Sequence, residues 1–231
     1  MRARIPRRRG VCARVACWKT YVGRPETAHV RGMAINQLGN GLSEGKQSED
    51  ALSVREVELS LARRRGADED DILIAQGNIA ITYHRLGRLE EANRMLRDVY
   101  SGRLKLKGKE HPLALAAANN YADSLLSLQR LEEAKSLYRK TIPVARRVVG
   151  DDDELTLMMR QNYARALHKD PDATLNDFRE AVAILEETER IAQRVLGGSY
   201  PLAISIEFSL RRARTALRDV LRAHVRARTT A

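Results

Sequence analysis

Aromatic residues make up only 4% of this 231-residue chain, although 43% of it is hydrophobic. So few large rings argue against one thick core and for an elongated domain held by a row of small helix contacts. Cysteine is nearly missing as well. Cys12 and Cys17 have no second pair and no suitably spaced histidine, which excludes a zinc site and a disulfide framework. No apolar run approaches the roughly 18 residues of a membrane helix, and no signal-peptide apolar segment follows the first arginines. No stretch alternates with the period of two that strands need. The histidines (His29, His84, His111, His168, His224) form no metal spacing on one helix, and His-Glu-x-x-His, a nucleophile elbow and paired Cys-x-x-Cys are absent. Residues 39–46 brush against a phosphate-binding loop, but Asn40 breaks its glycine spacing and Gln47 replaces the magnesium-holding Ser or Thr. The chain reads as a soluble, cytoplasmic non-enzyme with no cofactor and no metal.

Acid is lacking at both ends. Residues 1–25 hold Arg2, Arg4, Arg7, Arg8, Arg9, Arg14, Lys19 and Arg24 without one carboxylate, and residues 210–231 set seven arginines against Asp219. The net charge of +11 therefore sits in the termini and leaves the body mildly acidic. That distribution argues against a nucleic-acid-binding body and leaves only salt-sensitive contacts through the ends as an alternative function. Residues 1–25 read as a basic disordered arm, a composition that an organelle transit peptide would share. Residues 26–217 are the folded domain, and residues 218–231 a basic tail or helix extension.

What is present is repetition. Asn78-Ile79-Ala80, Asn120-Tyr121-Ala122 and Asn162-Tyr163-Ala164 recur at a spacing of 42, as do Leu89-Glu90-Glu91-Ala92 and Leu131-Glu132-Glu133-Ala134. Within one unit, Ala118, Tyr121, Ala122 and Leu125 form one helical stripe, and Ala134, Tyr138, Thr141, Ala145 and Val148 form a second. His111-Pro112 opens the first helix, Gln129-Arg130 marks the turn where the preceding copy has Gly87-Arg88, and Gly150 closes the second. Ala80, Ala122 and Ala164, then Ala92, Ala134 and Ala181, mark where helix backbones cross. Pro143 falls inside a second helix and predicts a kink. The next copy carries five extra residues near 168–172, expected to bulge between its helices. Arg211 stands where the last helix should have a small residue, which predicts a terminal capping helix with a polar outer face.

The sequence Gly108-Lys109-Glu110-His111-Pro112, then Asn119-Asn120-Tyr121-Ala122, then Leu131 to Tyr138, and finally Val148-Val149-Gly150, resembles the tetratricopeptide repeat, and more narrowly the kinesin light chain variety. Ordinary tetratricopeptide units span about 34 residues; the longer unit here is what the light-chain type looks like. The expected fold is all-α, a right-handed superhelical solenoid of antiparallel helix hairpins with 42-residue repeats. The resemblance implies a non-catalytic scaffold whose first helices line a concave groove for a peptide or protein. It does not extend to a heptad segment for joining a motor.

By that resemblance Asn78, Arg85, Asn119, Asn120, Asn162, Arg165 and Lys169 face the groove, with His84, Asp123, His168 and Arg212 nearby. Asparagine suits a peptide backbone because its amide both donates and accepts, and it equally suits bonding neighbouring helices together. Arg85, Arg165, Lys169 and Arg212 are opposed only by Glu44 and Asp123, so the expected partner is acidic. Ala118, Leu126 and Ile81 are expected to offer apolar surface to a bulky anchor residue. A further alternative is a repeat domain detached from a larger signalling protein.

Overall fold

The computed structural model describes residues 37–42 and 47–229, and every regular element among them is an α-helix. The basic arm, Cys12, Cys17 and Glu44 lie outside the described residues. In chain order the helices are α1 (37–42), α2 (Ser48–Arg64), α3 (Glu69–Arg85), α4 (Leu89–Lys107), α5 (Pro112–Ser127), α6 (Leu131–Val148), α7 (Glu154–Lys169), α8 (Leu175–Leu196) and α9 (Pro201–Thr229). They fall into two compact units that meet in sequence at Leu106 and Lys107. Helix α9 runs through residue 218 without a break.

In the unit ending at Leu106, Leu52, Leu59, Ala75 and Ile79 form a core. Arg55, itself buried, joins three helices: it donates to Asn40 Oδ1 of α1 at 2.8 Å, to the Asn78 carbonyl of α3 at 2.8 Å, and to Thr82 Oγ1. Asp68 caps α3 by accepting from the Asp71 amide at 2.8 Å, which is the role its place before an acidic first turn suggests. Glu58 is unusual, because its Oε2 is buried without a hydrogen bond. Burial pushes its carboxyl up to about 7, outweighing the pull of Arg55 and Arg65. A raised carboxylate favours the protonated folded state, so its stabilising contribution is complete below the unfolded value near 4.5 and is lost as pH rises through about 7. Denaturant melts of wild type and Glu58→Gln should therefore converge at pH 4.5 and separate by pH 8, with the variant the more stable.

In the unit from Lys107, α5 and α6 form one hairpin and α7 and α8 the next, with α9 packed on both α7 and α8. His111 caps α5 through its Nδ1, which accepts from the Leu113 amide at 3.2 Å, and Pro112 takes the first helical position. Across both units Ala80, Ala92, Ala122, Ala134, Ala164 and Ala181 are all 0% exposed, as expected where helices cross. Tyr138 is the large side chain at the centre, with its ring 6.5 Å from that of Tyr163.

The α5–α6 turn repeats the α3–α4 turn. Arg88 N donates to the Tyr83 carbonyl at 2.9 Å and Arg130 N to the Leu125 carbonyl at 2.9 Å, which closes each helix in the same way. Gly87 holds φ +77° there, but Gln129 holds φ +60° and has a side chain that opposes it. Gln129→Gly should accordingly raise stability by about 1 kcal/mol, read as a higher urea midpoint with unchanged slope.

The five extra residues do not form a separate bulge. The α7–α8 turn spans residues 170–174, longer than 128–130, and α8 begins further ahead of its crossing Ala181 than α6 does of Ala134. A turn and an added stretch of helix absorb the insertion. Thr174 and Asp177 cap α8 reciprocally, and Asp170 accepts from buried Lys135 Nζ at 2.6 Å, tying the turn back to α6. Pro143 is exposed within α6, and the helix continues to Val148.

Candidate peptide-binding face

The first helices α5, α7 and α9 are adjacent in the second unit, with polar bonds running from each to the next. Asn162 Nδ2 of α7 donates to Asn119 Oδ1 of α5 at 3.3 Å, and Gln161 Nε2 of α7 donates to Ser205 and Ser209 Oγ of α9 at 2.8 Å each. Arg165 of α7 pairs with Asp123 of α5. The spacing of 42 sets α5 and α7 in register, so that Asn119 and Asp123 of one helix lie beside Asn162 and Arg165 of the next.

These bonds sort the candidate residues. Asn119 is only 7% exposed, and Tyr138 Oη also donates to it at 3.5 Å. It binds helices together, with Asn162 as its partner, and is not open to a peptide. Asn120 is exposed, Lys169 is exposed, and Arg165 is half-buried beside Asp123. Ala118 and Leu126 are buried in helix crossings, so they offer no apolar surface to a ligand, which corrects that expectation. In the first unit, Arg85 and Ile81 are exposed, and Asn78 is half-buried with its carbonyl taken by Arg55 and Thr82.

Positive charge gathers where α7 ends. The Lys169 ammonium is held below its usual range, first by burial and then by the charges of Arg165 and Arg212. His168 is pushed the same way by burial, and Arg212, Lys169 and Arg165 add to that. Its Nδ1 lies 2.8 Å from the Ala164 carbonyl, and neutral imidazole suits that site. Arg165, Lys169 and Arg212 thus form one cationic cluster around His168, with Asp123 as its counter-charge. Gln161 is the member of this face that sequence reasoning passed over; its repeat-equivalent Asn119 was the available signal. No three His, Cys, Asp or Glu side chains among the described residues are placed to hold a metal ion.

Two tetratricopeptide repeat models match the chain, over residues 72–113 and 113–173. Residues 72–173 carry tetratricopeptide repeats. No curated protein sequence matches it. Among solved structures, BtubC (BKLC) from P. vanneervenii superposes with a TM-score of 0.74 at 16% identity, covering 96% of this chain and 88% of that one. A kinesin light chain-type protein of P. anserina with nearly identical tetratricopeptide-like repeats gives 0.68 at 21% identity, over 89% and 99%. A STAND ATPase with a tetratricopeptide repeat sensor, PH0952 from Pyrococcus horikoshii, gives 0.61 at 16% identity, over 84% of this chain and 30% of that one. The chain thus has the all-α fold class of these light-chain-type repeat structures. None of its described helices is long and apolar enough to cross a membrane.

Proposed function

We propose that this tetratricopeptide protein is a non-catalytic scaffold that binds an acidic peptide, or an acidic segment of a protein, along its first-helix face. The observation that carries the reading is the gathering of Arg165, Lys169 and Arg212 where α7 ends, with Asp123 their counter-charge. An incoming carboxylate reduces the repulsion among these cations and accepts charge-assisted hydrogen bonds from them. Exposed Asn120, one helix away, is positioned to bond the backbone of the same peptide. The kinesin light chain-type repeats among the structural neighbours support the fold part of this reading.

The test is fluorescence polarisation with two labelled twelve-residue peptide pools, one with fixed Asp and Glu positions and a Leu, the other with Lys and Arg at the same positions. The acidic pool should bind, and its affinity should fall as salt is raised. Equal binding of both pools contradicts the proposal.

A further inference from the structure

The outer side of α9 leaves two large apolar side chains uncovered, Ile204 and Phe208. Leu115, Asn119, Ala122 and Leu126 form the side of α5 that faces α7, and all four are buried. The same positions on α7 are Leu157, Gln161, Ala164 and His168, of which the first three are buried and Gln161 bonds to α9. On α9 they are Ile204, Phe208, Arg211 and Thr215, and nothing among the described residues covers them: Ile204 is 50% exposed and Phe208 60%. Leu202, Ala203, Ile206, Leu210 and Ala213, on the opposite side of α9, are buried, so the helix is fixed and the free face is rigid. The outer face is thus mixed: Arg211, paired with Glu207, and Thr215 give it the polar part that was expected, and Ile204 and Phe208 add an apolar patch that was not.

Its charge identifies the occupant. Arg212 takes the place that Asp123 has on α5, where α7 supplies Arg165 as partner. Arg212 instead lies over the Phe208 ring, 5.9 Å from its centre, with Arg211 beside it. We infer that α9 accepts an amphipathic helix from a partner protein, stacked as a following first helix would be, with an apolar residue against Phe208 and a carboxylate against Arg212. The acidic residue of this face, Glu207, is already paired with Arg211, so a second copy of this chain laid face to face would bring more arginine than unclaimed carboxylate to Arg212, which disfavours it. This surface borders the peptide-binding face at Arg212, which both would use, and differs from it in needing Ile204 and Phe208 but neither Arg165 nor Lys169.

The ladder supplies the probe. A hydrocarbon-stapled peptide of residues 154–169 carrying Asn162→Leu and Arg165→Glu presents the apolar residue and the carboxylate at the required places; the staple offsets the weak helicity of so short a segment. By isothermal titration it should bind the full chain at least tenfold more tightly than the same peptide with Asn162 and Arg165 retained. Phe208→Glu should abolish that binding, and Arg165→Glu with Lys169→Glu should leave it. Both sites of substitution are solvent-accessible, and unchanged circular dichroism confirms the fold. Equal affinity for the two peptides, no binding at all, or binding that survives Phe208→Glu overturns the inference. So does concentration-dependent dimerisation that Phe208→Glu removes, which assigns the face to a second copy.

Discussion

Replacing Ala122 with leucine is expected to lower the melting temperature by about 10 °C, and replacing Ala223 with leucine to leave it almost unchanged. Both residues are helical alanines, so helix propensity favours neither change over the other. They differ in what surrounds them. Ala122 is fully buried where α5 meets α6 and α7, within a core that includes Leu125, Leu131, Ala134 and Tyr138. Three added carbons there must displace a helix, at a cost of about 3 kcal/mol, the upper end for overpacking; at roughly 4 °C per kcal/mol for a domain of this size this gives the shift. Ala223 is exposed on the outer part of α9, and between Ala213 and residue 224 no residue is buried. Similar shifts in differential scanning calorimetry would contradict the packing.

The double reversal Arg165→Glu with Lys169→Glu is expected to weaken acidic-peptide binding by about a hundredfold, corresponding to some 1–1.5 kcal/mol per lost charge contact. Arg165 is one-third exposed and Lys169 exposed, so their change to glutamate leaves the core in place. The reversal also sets a carboxylate at position 165 against Asp123, which repels the ligand as well as removing its partners. Titration should show the loss at unchanged helicity, and removing Arg7 to Arg9 should have no such effect. Unchanged affinity would move the peptide off this face.

Much of the fold was legible because it depends on period. A spacing of 42 that returns Asn-x-Ala and Leu-Glu-Glu-Ala requires every unit to bury the same stripe, and the six crossing alanines follow from that. His111-Pro112 was legible for a local reason, since a cap acts within its own first turn. The binding face was less legible. Whether Asn119 meets a ligand or another helix depends on what a residue 43 positions later does, and Asn162 takes it. Lys135 could be paired with Asp170 only once the insertion had been placed in the turn, and Ile204 and Phe208 gain meaning only when the side of α9 that lacks a neighbour is known.

The central claim is that an acidic peptide lies along the first helices, and photo-crosslinking tests it most directly. A benzophenone amino acid is placed at position 120 on α5 in one variant and at position 140 on α6 in another, both exposed positions. Irradiation with the bound acidic peptide should give a crosslink from position 120 that excess unlabelled peptide suppresses, and none from position 140. A crosslink from position 140 with none from position 120 would place the peptide on the second helices and contradict the account.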